Sequence, residues 1–435
     1  MRYLLTVITA VSLMTACSSE PDNALSPVKV EIEKTEEGYR LLRGGEPYTV
    51  RGAGMVWNDI ERFAAVGGNS IRNWNSAQPG QDTRELLDAA QANGVTVALG
   101  LARVPKRHGF EYDDPPAAAA QLEMMREEVL KYRDHPAVLV WVIGNELNHS
   151  YTNPRVYDAV NDVAAMIDEL DPYHPTTTAT SGFKPDVIAE IVARAPALDF
   201  ISFQMYGSLF RLPERLAAAG FDQPFMVSEW GTIGYWETEN TGWNAPVELH
   251  SSEKADTFGR ASRDILAPLD GQLLGSYAFY WGQKQERTPT WFGMLTEDGN
   301  LTEVVDVMQY SWTGEWPDDR TPRVEAMLLD GKTARDGVTL VADQAYEAAF
   351  DVTDPNGGTL TYRWELKPES TATTGGGDYE EPLSSLDGYI TDARAAKTFV
   401  TAPAPGQYRL FAYASDDDGR IAHANIPFLV EGVKP

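Results

Sequence analysis

Cysteine is almost missing from this chain: among 435 residues only Cys17 is one, so no disulfide can form within it. Basic residues are scarce beside acidic ones, 36 against 64, and the formal charge of −28 repels nucleic-acid phosphates and anionic lipid headgroups. No nucleic-acid partner is expected. The six histidines, His108, His135, His149, His174, His250 and His423, form no HExxH or cysteine-paired pattern, so no metal is expected. A GxSxG elbow and a P-loop are missing too, and "RGAGMVWND" lacks the GxGxxG spacing of a dinucleotide fold, so no cofactor is expected. What is present, 43% apolar and 10% aromatic residues, is an ordinary globular composition with room for two or three domains.

The surroundings of the lone cysteine explain it. Arg2 is followed by "YLLTVITAVSLMTAC", a positive start, an apolar stretch too short to span a bilayer securely, and small residues before Cys17. It reads as an export signal. "LMTAC" resembles a bacterial lipoprotein box, which implies cleavage before Cys17, lipid on that residue, and an outer-membrane, periplasmic or cell-surface location with the anchor as the only membrane contact. The plain alternative is a cleaved secretion signal without lipid. Residues 1–17 are then the signal peptide, and 18–27, "SSEPDNALSP", a polar tether.

From Val28 a β-hairpin pattern leads into eight apolar runs separated by helical segments. The runs are "YTVRGAGM", "GGNSIRNWN", "GVTVALGLA", "VLVWVIGNE", "TTTATS", "DFISFQMYG", "PFMVSEWG" and "GSYAFYWG". Between them, Val156, Val160, Val163, Ile167 and Leu170 share one face of a helix over 155–170 that Pro172 stops. Leu86, Leu87 and Ala90 mark another over 82–93, with Gly94 as its C-terminal cap. Eight strands alternating with helices over roughly 260 residues predict an α/β fold of the (β/α)8 TIM barrel type across 28–316; an open doubly wound sheet is the alternative. "PDDRTPR" then reads as a linker. Over 322–435 the runs "GVTLVA", "AYEAAFDV", "LTYRWEL", "KTFVTAP" and "GQYRLFAYASD" predict a small all-β sandwich, and "DPNGGTLTYRWEL" and "GQYRLFAYASDDDG" resemble immunoglobulin-like domains. Trp364 reads as its core, with glycan binding as the alternative, and "SDDDG" as an acidic turn rather than a calcium site.

In such a barrel, residues at the C-terminal strand ends gather on one face. Those ends hold Arg72, Asn73 and Trp74, then Asn145 and Glu146, then Tyr206, then Glu229 and Trp230, then Trp281. Two glutamates thus close the fourth and seventh strands. Paired carboxylates at one mouth suit glycosidic bond cleavage, in which one protonates the leaving oxygen and the other attacks or stabilises the anomeric carbon. Arg72 and the Tyr206 hydroxyl are the expected donors to Glu229, and Asn145 is placed to hold a sugar hydroxyl.

"HPAVLVWVIGNEL" and "PFMVSEWG" resemble the acid/base and nucleophile strands of clan A retaining glycosidases, which include glycoside hydrolase families 2 and 5; "RDHP" and "LDPYHP" look most like the family 2 barrel. The resemblance implies Glu146 as acid/base, Asn145 as its substrate-binding neighbour, Glu229 as nucleophile, Tyr206 beside it, and Trp281 as a platform under the reacting sugar. Family 2 enzymes usually carry sandwich domains before the barrel where this chain has a hairpin, so their substrate specificities are not inherited.

Aromatic faces stack on pyranose rings, and Trp57, Trp74, Trp230, Trp236, Trp243, Trp281 and Trp291 lie at or after strand ends, suggesting a multi-subsite cleft; loop packing explains each singly. His108 and His149 follow strands and are candidates to touch substrate, whereas His135 and His174 read as structural. Gln283, Lys284, Glu286 and Arg287 read either as hydroxyl contacts or as paired surface charges. The expectation is an exported, monomeric, retaining β-glycoside hydrolase acting on a carbohydrate, with a β-glucan favoured because no cationic pocket is evident. A transglycosylase using the same intermediate and a non-catalytic glycan-binding protein remain open.

Overall fold

The computed structural model describes residues 25–56, 59–76, 80–101, 109–373 and 375–432. The expected signal peptide with its lipidated Cys17, most of the tether, Trp57 and His108 lie outside the described residues.

Eight parallel strands close into a barrel in sequence order: β4 (Gly52–Gly54), β5 (Ser70–Arg72), β6 (Thr96–Leu101), β7 (Val138–Asn145), β8 (Thr176–Ser181), β9 (Phe200–Met205), β10 (Phe225–Trp230) and β11 (Leu273–Ala278). Seven of the eight apolar runs contain one of them whole, and the eighth, which begins at Gly275, overlaps β11 from its third residue. Strands of a parallel barrel are covered on both faces, which is why they read as near-continuous hydrophobic stretches. The helices are α1 (Ile60–Ala65), α2 (Thr83–Ala92), α3 (Pro115–Tyr132), α4 (Arg155–Leu170), α5 (Pro185–Arg194), α6 (Leu212–Ala219), α7 (Ser251–Arg260) and α8 (Glu303–Thr313). In α4 the predicted Val156, Val160, Val163 and Ile167 are buried, and Asp171 ends the helix. In α2 the Asp82 side chain caps the N-terminus, Leu86, Leu87 and Ala90 are buried, and Gly94 takes φ +68° just beyond Asn93.

Two apolar layers result. Outward residues such as Val138, Trp141, Val227 and Trp230 pack against the helices, while Leu139, Val142, Phe200, Met226 and Leu274 fill the barrel. The predicted hairpin, β1 (Val30–Thr35) and β2 (Gly38–Arg43) with short β3 (Glu46–Pro47), adds Val30 and Leu41 to that inner cluster. It is tied to residues preceding three barrel strands: Val30 N–H to Tyr173 O at 2.8 Å, Tyr39 N–H to Gly271 O at 2.6 Å, and Arg43 Nη2 to Pro136 O at 2.8 Å. The hairpin therefore plugs the N-terminal end, leaving the opposite end open for chemistry.

The remaining chain forms two β-sheets on one core. One holds β12 (Arg323–Leu329), β14 (Ala345–Thr353) and β16 (Lys397–Thr401); the other runs in the order β13 (Val338–Val341), β18 (Ile421–Glu431), β17 (Gly406–Ser415), β15 (Thr361–Pro368). Strands β12 and β18 were not among the runs read from sequence, and β13 pairs with β18 in parallel, so the unit is not purely antiparallel. Trp364 is buried, near Phe350, and donates its indole N–H to Ala395 O at 2.8 Å. It is core, as expected. In "SDDDG", Asp416 accepts the N–H of Asp418 and of Arg420, as an acidic turn does.

The stretch read as a linker is pinned. Buried Asp306 of α8 accepts from Thr321 N–H at 2.7 Å, Arg320 Nε at 3.2 Å and Arg420 Nη1 at 2.5 Å. Deeper in the interface, Glu248 accepts from Lys254 at 2.5 Å, Thr288 at 2.6 Å and Asn425 Nδ2 at 2.7 Å. Burial pushes the Glu248 carboxyl up, but Lys254, His423 and Arg409 outweigh it and bring it down to about 2. Burial, reinforced by Lys254, holds His423 down at about 3.

This interface titrates in a defined direction. His423 is neutral when folded and ordinarily protonates near 6.5, so unfolded chains take up the proton first as pH falls. Its contribution to stability is complete above about pH 6.5 and is lost progressively toward its folded value, whereas the Glu248 contribution persists until pH falls below about 4.5. Between pH 7 and pH 5 the Tm of the wild type is expected to fall, and that of His423→Gln to fall less, as scanning calorimetry would show.

Candidate active site

Arg72 ends β5, Asn145 ends β7 with Glu146 next, Tyr206 follows β9, and Glu229 is the penultimate residue of β10. Both glutamate strands break their register just before the carboxylate. In β7 the pairing with β8 shifts between Val142 and Asn145, where Gly144 takes φ +76°; a Cβ there would lie 2.6 Å from the Leu147 side chain. The irregularity turns Asn145 and Glu146 both into the mouth, with Glu146 itself left-handed at φ +46°. In β10 the shift falls between Val227 and Glu229. Val227 packs outward, so strict alternation would send Glu229 outward and Trp230 inward; the bulge reverses both.

Glu229 is nearly buried and fully engaged. Its Oε1 accepts from Arg72 Nη1 at 2.5 Å and from the Trp74 indole at 2.6 Å, and its Oε2 accepts the Tyr206 hydroxyl at 2.9 Å. Arg72 is 1% exposed, so this ion pair sits away from solvent screening. Burial, then the charges of Glu229, Glu286 and Glu146, push the Tyr206 hydroxyl well above its ordinary range, so it stays a donor. One phenol senses both Glu229 and Glu146. Arg72 Nη2 and Gln204 Nε2 each donate to Asn145 Oδ1 at 2.6 Å, leaving Nδ2 as the Asn145 atom available to a sugar hydroxyl. Trp74 needs close quarters behind it: a Cβ on Gly100 would stand 2.5 Å from the Trp74 backbone.

Tyr206→Phe removes one charge-assisted hydrogen bond to a buried carboxylate. We expect about a 10- to 100-fold fall in kcat on any cleaved glycoside, with little change in KM.

A cavity of about 790 Å³ opens over these groups. Trp74, Asn145, Glu146, His149, Tyr206 and Glu229 line it, and Arg72 stands directly behind Glu229. Two expected contacts do not. Trp281 is fully buried, edge-on to Phe63 of α1 at 5.3 Å, because the chain leaves β11 after Ala278 and turns that ring outward. Phe279 and Tyr280 meet the cleft instead. Trp230 is buried against Phe258 of α7 at 5.3 Å, the outward consequence of the β10 bulge. Trp291 is also buried, and Trp243 does not line the cleft; Trp74 and Trp236 do.

Other residues were not read as part of the site. Gln204 is a polar position within the apolar run "DFISFQMYG", and that break in the pattern was the available signal. Lys184 and Arg215 also line the cleft; so do Lys284 and Glu286, which were read from sequence as hydroxyl contacts or paired charges and which form an ion pair with each other. Cations are therefore present at the mouth, contrary to the expectation from sequence. His135 bonds Asp88 at 2.9 Å and His174 bonds Asp171 at 2.8 Å, the structural roles foreseen for them.

Residues 85–238 match the family model "Glycosyl hydrolases family 2, TIM barrel domain". A β-glucuronidase of Felis catus is 24% identical over 233 residues, covering 48% of this chain and 32% of that protein. A solved β-glucuronidase of Bifidobacterium dentium, complexed with coumarin-3-O-glucuronide, shares 17% identity at a TM-score of 0.51, covering 67% of this chain and 50% of that one. A β-glucuronidase of Parabacteroides merdae is 12% identical at a TM-score of 0.49, covering 93% of this chain and 53% of that one. The chain thus spans about a third of the curated relative's length and about half that of the two solved structures. Over residues 85–238, about a third of its length, the chain is thus similar to the TIM-barrel domain of glycosyl hydrolases family 2.

Proposed function

We propose that the protein cleaves β-linked glycosides with retention of configuration. Supporting this reading, Glu229 is held by Arg72, Trp74 and Tyr206 in one cleft with Glu146. Three donors converge on the Glu229 carboxyl and fix its position at the barrel mouth, as a nucleophile requires. Glu146 protonates the departing glycosidic oxygen while a Glu229 oxygen bonds to the anomeric carbon and the leaving alcohol departs. Glu146, now ionised, then takes a proton from water as that water's oxygen displaces Glu229 from the same carbon. Asn145 Nδ2 holds a hydroxyl of the reacting sugar. Export, with lipidation at Cys17, belongs to the same proposal and rests on the N-terminal sequence.

The substrate is a β-linked saccharide, with a neutral glucan first. A uronide is the second reading, favoured by Lys184 and Arg215, which line the cleft with no ion-pair partner among the described residues. Wild-type protein on 4-nitrophenyl β-glucoside, β-galactoside, β-mannoside and β-glucuronide, and on soluble β-glucans, is expected to release product from at least one. Oligosaccharide binding with no product from any would favour a non-catalytic glycan-binding barrel, and products longer than the supplied oligosaccharide would identify a transglycosylase.

A further inference from the structure

The barrel does not make the cleft alone. Gly375, Gly376, Gly377 and Asp378, from the segment joining β15 to β16, line it together with Glu146 and Glu229. That segment is fixed at both ends. At its start, buried Glu369 pairs with buried Arg409 through both oxygens, at 2.7 and 2.9 Å, and Arg409 also donates to Pro246 O of the barrel at 2.8 Å. Beyond the glycines, buried Glu380 accepts the Arg287 N–H at 2.7 Å, and the Arg287 guanidinium lies 4.7 Å from the Tyr235 ring centre. Between these anchors the backbone rests on the barrel: a Cβ on Gly376 would lie 3.6 Å from the Trp236 ring and 3.6 Å from Glu286 Oε1. The backbone at Gly377 also hydrogen-bonds the Glu286 carboxyl.

Trp236 links this wall to the chemistry. It is 51% exposed although large and apolar, and its ring centre is 5.4 Å from that of Tyr206, the donor to Glu229. An exposed indole beside a reacting position offers a flat surface for the next ring of a saccharide. The glycine backbone packed against its edge lines the same cavity.

We propose that Trp236 and segment 375–378 together form a sugar subsite adjoining the reacting position, so that the C-terminal sheets take part in substrate recognition through this loop. This rests on the glycosidase reading and adds to it where the neighbouring sugar sits. Glu237, Glu286 and Asp378 line this end against the single ammonium of Lys284. A neutral hexopyranose suits it, and a uronate or sulfated ring is repelled.

Gly376 lacks a left-handed φ, and a Cβ there makes only van der Waals contact, so the backbone at 376 accepts a side chain and Gly376→Trp adds bulk to this wall of the cleft. The test titrates full-length Glu229→Gln protein and the Glu229→Gln/Gly376→Trp double variant with laminaritetraose, cellotetraose and mannotetraose by calorimetry. It also measures wild type, Gly376→Trp and Trp236→Ala on the best-bound tetraose and on the corresponding 4-nitrophenyl monosaccharide. The double variant is expected to lose about tenfold or more in affinity, and both single variants to lose at least as much in the ratio of tetraose to monosaccharide kcat/KM. Weakened binding without turnover in the wild type supports the subsite while sinking the hydrolase reading. Turnover with an unchanged ratio and affinity, or no binding of any tetraose to the Glu229→Gln protein, overturns the proposal. Equal losses on both substrates, with a lowered Tm, overturn it as well.

Discussion

In Glu229→Gln protein, turnover of every glycoside that the wild type cleaves is expected to fall by about ten-thousandfold or more. The reason is specific to the site. A carboxamide still accepts from Arg72 and Trp74 through its oxygen, so the hydrogen-bonded shell and the fold persist, but the neutral group cannot form the glycosyl ester. Loss of the charge beside buried Arg72 is expected to lower stability by about 1–3 kcal/mol. Circular dichroism and a melting curve separate that modest loss from unfolding. Near-wild-type activity would remove Glu229 from the mechanism.

Glu146→Gly is expected to act differently on different substrates. Where the departing alcohol needs a proton, loss of the general acid should lower kcat/KM by about 100- to 10,000-fold. With a 2,4-dinitrophenyl glycoside, whose phenolate leaves unaided, ester formation survives and hydrolysis of the ester becomes limiting, so KM falls along with kcat. Azide then attacks the ester where water is no longer activated, restoring turnover as a β-glycosyl azide. A uniform loss on both substrates with no response to azide would remove Glu146 from proton transfer. The left-handed φ of Glu146 adds a structural expectation: glycine relieves that backbone cost, so this variant should not melt below the wild type.

Much of this was legible in the sequence because parallel barrel strands are buried on both faces and because their C-terminal ends converge. Arg72, Asn145, Glu146, Tyr206 and Glu229 were found by that rule alone, and the structure brings them together. Illegible were features that depend on local irregularity or distant packing. A bulge in β10 sends Trp230 outward, and a turn after β11 does the same to Trp281. Neither leaves a pattern in composition. Strand β18 escaped notice because His423 and Asn425 interrupt its apolar run. Those residues face the barrel, where the His423 backbone N–H donates to the Ser251 hydroxyl and Asn425 Nδ2 to Glu248. The loop carrying Gly376 reaches the cleft across more than two hundred residues from Glu146, and no spacing rule connects the two.

The two register breaks also bear on how one barrel brings two carboxylates to its mouth. Each occurs immediately before a glutamate: in β10 it takes Glu229 out of the alternation that would have set it against helices, and in β7 it brings Asn145 to the cleft beside Glu146. Glu229 is then met by three donors, while Glu146 lies on the neighbouring wall of the cleft.

The most direct test of the double-displacement proposal is proton NMR of the anomeric signal during the first minutes of cleavage of whichever aryl β-glycoside the wild type accepts. Appearance of the β-anomer first, followed by slow mutarotation to the α-form, is the expected result. Initial release of the α-anomer would mean that water attacks directly, and that Glu229 never bonds to the sugar.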